Sequence, residues 1–223
     1  MIMLSLFCGC IEDSDQEETT PPPETTPPPE KYNFTIGDVF VYDIYYMLDR
    51  LDDEEGWQET EVDGTLTIEI LPSDRYDYTF HYYGSLVKNG EDDSFDTTLE
   101  VNDDVLYGII LEIFDIMRIQ IFNYSSYSPY LSGLLTDPSY YVVGSSWDVF
   151  VAGERGVMEV IGTCQHAGKD GYDTTFEFHP GDASVEYDLC IDPYWLMPLA
   201  VETQYERPDL NETFTAELIY WVG

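Results

Sequence analysis

Apolar residues alternate with polar ones along most of the chain from Tyr32 onward, and this period of two constrains the fold more than any other feature. Val62, Leu66, Ile68 and Ile70 have threonine and glutamate between them, which is typical of a strand that buries one face. Later segments repeat the pattern, with turn-forming residues at 167–171 and 180–182. The predicted strands there are 157–166, 172–178, 184–191, 199–205 and 213–222. The sequence therefore predicts a meandering antiparallel sheet.

The first strands carry the same signal. Val39 and Val41 begin one apolar series, and after a slip of one residue Ile44 and Tyr46 continue it. A second series predicts that one strand face carries only aromatic residues, after a hairpin turn at 72–74. Its members are Tyr76, Tyr78, Phe80 and Tyr82.

Residues 105–122 break the alternation. Gly108, Glu112 and Asp115 recur at spacings of four and three, which predicts one polar stripe on an otherwise apolar helix over about 104–117. Residues 117–122 fit a helix or a strand equally well, and the charged residues in this stretch oppose a membrane span. A helix this apolar needs a cover, so the expected fold is mainly β (α+β): a curved sheet or unclosed half-barrel packed on the helix.

The first ten residues read as the end of an export signal. They are apolar and uncharged, and too short to span a bilayer by themselves. Gly9 precedes Cys10 as the small residue does in a lipobox, where cleavage frees the cysteine for lipid attachment. An ordinary cleaved signal is the alternative interpretation.

Residues 11–31 form an acidic linker. The unit Thr-Thr-Pro-Pro-Pro-Glu occurs at 19–24 and again at 25–30, and such proline-rich sequence favours an extended spacer of about 3.1 Å per residue. One β-rich domain is expected over 32–223. The lipobox-like cysteine, the Pro/Thr stalk and the acidic domain together resemble archaeal surface lipoproteins, which implies a lipid-anchored chain on the extracellular face of the membrane.

Cysteines and glycosylation motifs agree with an exterior location. Cys164 and Cys190 are the two cysteines of the domain, and a single pair in an exported chain is most simply a disulfide. Three Asn-X-Ser/Thr motifs predict glycosylation sites. These sites are Asn33, Asn123 and Asn211.

Charge excludes whole classes of partner. Eight Lys and Arg residues stand against 45 Asp and Glu residues, for a formal net charge of −37. Nucleic acids and anionic membrane surfaces both need clustered basic side chains, which this chain lacks.

Catalytic motifs are missing from the sequence. The histidines lie far apart at positions 81, 166 and 179, and no metalloprotease, serine hydrolase or phosphate-loop pattern occurs. Acidic runs at 49–55, 91–96 and 102–104 match no calcium-loop spacing and are interpreted as solvated loop tips. The sequence predicts a chain with no enzyme activity, cofactor or metal site.

Tyrosines are unusually frequent, 19 in all. Several follow the predicted helix within 123–141, where they either cover the helix or cap a cavity. They are Tyr124, Tyr127, Tyr130, Tyr140 and Tyr141.

Residues 186–202 resemble the strand, Asp-containing turn, Pro-Leu pair and next strand of bacterial lipoprotein carriers and related lipid-binding lipoproteins. That resemblance implies a β half-barrel wrapped around helices, with an apolar cavity for acyl chains. It places a candidate cavity lining on the predicted helix. The lining residues are Leu106, Ile109, Ile110, Ile113, Phe114 and Met117.

Two functions follow from these observations. The first is a non-catalytic surface or interaction module of the cell envelope, with an envelope protein as its partner. The alternative is a binding protein that holds an apolar or lipid-like ligand between the curved sheet and the helix.

Overall fold

The structure is a computed structural model that describes residues 35–52, 54–75, 77–101, 138–151, 154–195 and 197–223. The described part of the chain contains ten β-strands and one short 3₁₀ turn, Pro138–Tyr140. The strands are β1 (Val39–Asp52), β2 (Gly56–Leu71), β3 (Tyr78–Lys88), β4 (Glu91–Val101), β5 (Ser146–Val151), β6 (Glu154–His166), β7 (Lys169–Phe178), β8 (Ser184–Ile191), β9 (Ala200–Arg207) and β10 (Leu210–Val222).

All ten strands belong to one antiparallel sheet with the order β4-β3-β2-β1-β10-β9-β8-β7-β6-β5. Consecutive strands pair within β1–β4 and within β5–β10, and the first and last strands pair with each other in the middle. β4 and β5 are the two edges, and within the described residues they do not pair, so the sheet is not closed. The prediction of a mainly β antiparallel meander is confirmed. The helix expected over about 104–117 lies outside the described residues.

One face of the sheet is buried across both meanders. A single row of cross-strand neighbours passes through every strand, and apolar side chains dominate its centre. Burying each of the larger apolar side chains contributes about 1.5–3 kcal/mol. In order from β5 to β4 the row is Trp147, Met158, Phe176, Tyr187, Thr203, Phe214, Tyr46, Val62, Lys88 and Glu91.

The predicted slip in β1 is wrong. Phe40, Tyr42 and Ile44 follow each other on the buried face without interruption, whereas Val39 and Val41 lie half-exposed on the outer face. The larger aromatic side chains take the buried side because they remove more apolar surface from water. The irregularity lies in the partner strand, where a bulge inserts Ile219 between the residues that face Val41 and Tyr42.

The sheet is strongly curved. His166 of β6 lies 3.0 Å from Glu217 of β10, measured from Nδ1 to Oε1, although β7, β8 and β9 separate the two strands in the sheet. Because adjacent strands lie about 4.8 Å apart, a flat sheet would hold these strands roughly 19 Å apart. The β6–β7 hairpin therefore folds over toward β10.

Tight turns close two of the hairpins. Asn89 and Gly90, and likewise Ala167 and Gly168, have positive φ at both central positions, as a type I′ turn requires. The second turn is only two residues long, so 169–171 belong to β7 and not to the turn predicted there. In the described residues no helix is long and apolar enough to cross a bilayer.

Two acidic runs predicted as loop tips lie largely in strands. Asp49 is in β1, and Glu91, Asp93 and Asp96 are in β4. β4 is an edge strand, and charged side chains on such an edge discourage pairing with a second chain. The run at 102–104 lies outside the described residues.

Candidate functional site

A disulfide joins β6 to β8 across the strand between them. Cys164 and Cys190 have Cα atoms 6.0 Å apart, and Gly171 of β7 faces Cys164. A Cβ at Gly171 would lie 2.9 Å from Cδ1 of Leu199 and 3.1 Å from Sγ of Cys190, so only glycine leaves room for this packing. The predicted disulfide is confirmed.

The segment between β8 and β9, residues 192–199, is fixed on both sides. The Asp192 carboxylate accepts the N–H of Tyr194 at 2.9 Å, and the Leu199 N–H donates to the carbonyl of Cys190 at 2.8 Å. The Tyr42 hydroxyl donates to the carbonyl of Pro198 at 2.9 Å, and burial raises the pKa of that tyrosine well above its ordinary value. The segment is thereby tied to β8 and to β1.

Lys169 joins the β6–β7 hairpin to this segment. Its Nζ lies 3.9 Å from the ring centroid of Trp195 and 4.2 Å from that of Trp221, at the end of β10. The two indole rings are 5.6 Å apart, and Phe40 packs on Trp195 at 5.2 Å. We call Lys169, Trp195 and Trp221 the clasp. An ammonium group held over two indole faces is a favourable cation–π arrangement.

An open groove of about 670 Å³ lies beside the clasp. One wall is the β6–β7 hairpin and the other is the start of segment 192–199. Tyr194 is exposed at its rim, and the Gln165 amide donates to the Asp170 carboxylate at 2.7 Å within it. No residue that lines this groove, all of them in the described part of the chain, is lysine or arginine. The groove residues with polar or aromatic side chains are Thr163, Gln165, Asp170, Tyr172, Asp192 and Tyr194.

A second groove, of about 470 Å³, lies at the opposite end of the strands. Arg207 pairs there with Asp209, with Nη2 2.8 Å from Oδ2, and this hydrogen bond lowers the pKa of the aspartate. Asn211, one of the predicted glycosylation sites, is exposed in this groove. Its accessibility is compatible with a glycan.

The three histidines lie in separate places, each beside a carboxylate. His81 contacts Asp96 at 2.9 Å, His166 contacts Glu217 at 3.0 Å, and His179 contacts Glu177 at 3.2 Å. Within the described ranges, no three His, Cys, Asp or Glu side chains group as a metal site would require. The predicted lack of a metal site and of catalysis stays a prediction for the whole chain.

An apolar patch lies on the outer face of the sheet. Tyr220 and Val222 of β10 pair with Val41 and Val39 of β1. Tyr83 of β3 lies in the same cross-strand row as Tyr220, with Val41 and Thr67 between them. The bulge also exposes Ile219 beside them. Exposed apolar surface grouped in this way is typical of an interaction site. We call these six tyrosine, valine and isoleucine residues the outer patch.

Most of the sequence-predicted site residues lie outside the described residues. These are Cys10, Asn33, Asn123, Leu106, Ile109, Ile110, Ile113, Phe114, Met117, Tyr124, Tyr127 and Tyr130. Of the remaining tyrosines, Tyr141 is buried against Trp147 and Tyr172, at centroid distances of 5.5 and 5.9 Å. Tyr140 is exposed and contacts Trp147 at 5.8 Å.

The groove was not found by sequence reasoning. Its walls come from segments around 163–165, 170–172 and 192–194, which only the folded hairpin brings together. The one local signal was the run Asp192-Pro193-Tyr194-Trp195, a turn with two adjacent aromatic residues that alternation leaves unexplained.

Comparisons with known proteins support no assignment to a family. No protein-family model and no curated protein matches the chain. A lipovitellin structure, solved in a study of lipid–protein interactions, is similar with a TM-score of 0.40 and 9% identity. The match covers 85% of this chain and 26% of the lipovitellin chain, so this chain spans about a quarter of that protein.

A β-barrel-like protein with a domain of unknown function from Brucella abortus is also similar, with a TM-score of 0.26 and 7% identity. That match covers 83% of this chain and 97% of the other. Likenesses this low carry no argument about activity. The class that the described residues themselves define is a mainly β protein built on one open, curved antiparallel sheet.

Proposed function

We propose that this protein is a lipid-anchored, non-catalytic interaction module on the extracellular face of the cell membrane, and that its outer patch binds an envelope protein. The observation that carries the proposal is the patch itself. Tyr220 is 54% exposed and Val222 is 47% exposed, in the middle of a sheet whose other face is buried.

The two faces of the sheet differ in burial. Phe40, Ile70, Phe80 and Phe176 on the inner face are 0% exposed. Among the described strands, the outer patch is therefore the apolar surface that other molecules can reach.

Charge around the outer patch indicates the chemistry of the partner. Glu69 and Asp96 border it on β2 and β4, and Asp43 and Glu217 border it on β1 and β10. A partner with an apolar centre and a basic rim complements this arrangement.

The N-terminal residues supply the proposed anchor. A lipid on Cys10 would hold the chain at the membrane, and the extended linker would let the domain reach on the order of 60 Å from it. The Cys164–Cys190 disulfide supports an oxidising compartment, which agrees with an exterior location.

The anchor is tested by producing the full chain in an exporting host. Wild-type protein should sediment with membranes and carry the mass of a lipid on its N-terminal peptide, whereas Cys10→Ser should be released into the medium. Cys8→Ser is the matched control and should remain on the membrane. Release of both variants, or of neither, would contradict lipidation at Cys10.

The interaction surface is tested by site-specific crosslinking on intact cells. A photo-crosslinker in place of Tyr220 should give a discrete adduct, and the same group in place of Glu186, an exposed residue of β8, should not. Val222→Asp should abolish the Tyr220 adduct while leaving the melting temperature unchanged. Equal adducts from both positions would remove the outer patch as the interface.

The alternative function is the sheltering of an apolar or lipid-like ligand between the sheet and the segment over about 104–117. The open sheet with one continuous apolar face favours it, since the two edge strands do not pair within the described residues. Native mass spectrometry of protein from the exporting host, followed by organic extraction, tests it. A stoichiometric apolar adduct supports a carrier, and a clean apo mass with no uptake of added lipid argues against one.

Two substitutions separate the alternatives further. In a closed core, Ile113→Asp or Phe114→Asp should unfold the domain, whereas in a cavity lining each should abolish ligand uptake and leave a folded protein. If neither substitution has an effect, the expected placement of the helix is wrong.

A further inference from the structure

We propose that the groove beside the clasp binds a primary alkylammonium group, such as the end of a lysine side chain or of a polyamine. The proposal concerns a different surface from the outer patch and does not depend on it. The observations behind it are the composition of the groove, its rigidity and the exposure of Tyr194.

The groove is rigid because two independent links join its walls. The disulfide ties Cys164 of the hairpin wall to Cys190, which lies two residues before segment 192–199. The clasp ties Lys169, at the start of β7, to Trp195 in that segment. A site held in one geometry loses less conformational freedom on binding, so weak contacts can still give measurable affinity.

Charge excludes anions from the groove. The carboxylates of Asp170 and Asp192 line it, and no lysine or arginine is among its lining residues, all of which are described. Each wall contributes one carboxylate, so a positive charge between the walls is attracted by both of them.

The hydrogen-bonding groups of the groove favour a ligand that donates hydrogen bonds. One N–H of the Gln165 amide donates to Asp170 at 2.7 Å, and the strongest hydrogen-bond acceptors in the groove are the carboxylate oxygens of Asp170 and Asp192. Carboxylates only accept, whereas an alkylammonium carries three donors and no acceptor.

Aromatic surface completes the match. Tyr194 is 55% exposed, and both Tyr194 and Tyr172 line the groove. Tyrosine rings attract cations at their faces and also cover the methylene groups of an alkyl chain. The clasp shows that the same end of the molecule already holds one ammonium, that of Lys169, against aromatic rings.

The test uses n-butylammonium as the probe and n-butanol as its neutral analogue, with full-length protein from an exporting host at 150 mM NaCl, roughly physiological ionic strength. Calorimetry and the NMR signals of the tyrosine rings should show saturable binding of n-butylammonium at one site and none of n-butanol. Equal binding of the two probes, or no saturable binding of n-butylammonium, would overturn the proposal.

A substitution that changes no charge distinguishes binding of n-butylammonium in the groove from its general attraction to an acidic protein. Tyr194→Ala should weaken n-butylammonium binding about fivefold, the factor expected for one cation–π contact. Tyr220→Ala is the matched control because that tyrosine is 54% exposed on another face, and it should change the affinity less than twofold. Equal effects of the two variants would contradict the proposal.

A charge substitution with its own control tests the electrostatic part. Asp170→Asn should weaken binding at least threefold, whereas Asp43→Asn, which removes the same charge from the outer face of β1, should not. If methyl α-glucoside binds to the wild type and Tyr194→Ala abolishes that binding, the groove is a sugar site and the proposal of an alkylammonium ligand is overturned. Crosslinking from Tyr220 should be unaffected by Tyr194→Ala, so failure of one proposal can be told from failure of the other.

Discussion

The two meanders that meet at the β1–β10 pair are stabilised in different ways. The N-terminal meander, β1–β4, consists of long strands joined by short turns, and every strand pairs with a sequence neighbour. The C-terminal meander, β5–β10, adds a disulfide, two bulged strands and the fixed segment 192–199. The first meander relies on local pairing, and the second on contacts between residues distant in sequence.

This difference matters for function because the constrained meander carries the groove. Segment 192–199 and the β6–β7 hairpin have little regular pairing with each other, so their relative position depends on the disulfide, the clasp and the Tyr42 hydrogen bond. The N-terminal meander contributes the Tyr42 hydrogen bond from β1, whereas the disulfide and the clasp lie in the C-terminal meander. Substitutions in the two meanders should therefore have effects of different kinds.

The largest effect is expected from removing the disulfide. Cys164→Ser with Cys190→Ser should lower the free energy of unfolding by about 3 kcal/mol, because the bond closes a loop with a sequence separation of 26 residues. Urea unfolding of both proteins, each with and without a reductant, measures this. Reductant should destabilise only the wild type, and an unchanged midpoint in the double variant would refute a stabilising role.

The next largest effect is expected in the N-terminal meander, at Gly64 of β2, where β3 lies too close for a larger side chain. In Gly64→Ala the new Cβ would clash with the Ser85 carbonyl and lie 3.0 Å from Cδ2 of Leu86. We expect a loss of about 1–3 kcal/mol from this overpacking.

Gly162→Ala in the other meander is the control for Gly64→Ala. Its Cβ would meet nothing closer than 3.7 Å, from Asp173, so stability should stay within about 0.5 kcal/mol of wild type or rise slightly. Thermal unfolding monitored by circular dichroism compares the pair. Equal losses would mean that the loss in Gly64→Ala does not come from the clash of its Cβ with the neighbouring strand.

Tyr42 joins the two meanders, and Tyr42→Phe should cost about 1–2 kcal/mol because a buried hydrogen bond to the Pro198 carbonyl is lost. The effect should depend on pH. Burial raises the pKa of Tyr42 in the folded protein, so its contribution is full below pH 10, roughly the unfolded pKa, and is lost as the pH rises toward the folded value.

Because Tyr42→Phe has no ionisable group at this position, the stability difference between it and the wild type should narrow above about pH 10. Urea unfolding at a series of pH values measures the difference. A difference that stays constant through this range would mean that the phenol is not shielded from solvent.

Alternation predicted the regular parts of both meanders. Strand β8 begins and ends where the sequence placed it, and Val62, Leu66, Ile68 and Ile70 all lie on the buried face as expected. The cysteine pair followed from the number of cysteines alone. The strands depend on residues within a few positions of each other, and the disulfide follows because the domain has only two cysteines to pair.

The errors lie where both faces of a strand are apolar. At 39–42 the valines and the aromatic residues alternate. The period of two therefore predicts a strand, but it does not predict which of the two sets is buried. The larger side chains, those of the aromatic residues, take the buried face. The groove was missed for a different reason. Tyr194 and Asp170 come together only through the curvature that brings the β6–β7 hairpin onto β10, and no local pattern encodes that curvature.

The smallest effect is expected at the clasp, and it most directly tests whether long-range contacts fix the groove. Lys169→Met keeps the apolar stem but removes the ammonium from the faces of Trp195 and Trp221, and should cost about 0.5–1 kcal/mol. Lys169→Arg keeps the charge and should restore most of that loss.

The second readout at Lys169 is the tryptophan environment. Near-ultraviolet circular dichroism should change in Lys169→Met and not in Lys169→Arg, because only the first variant releases Trp195 from the hairpin. Lys169→Met also removes a positive charge next to Asp170, which by itself favours a bound cation, so weaker n-butylammonium binding in this variant would show that Lys169 acts on the groove by holding its walls together. A Lys169→Met variant with unchanged stability and an unchanged spectrum would show that the disulfide and the Tyr42 hydrogen bond fix segment 192–199 without the clasp.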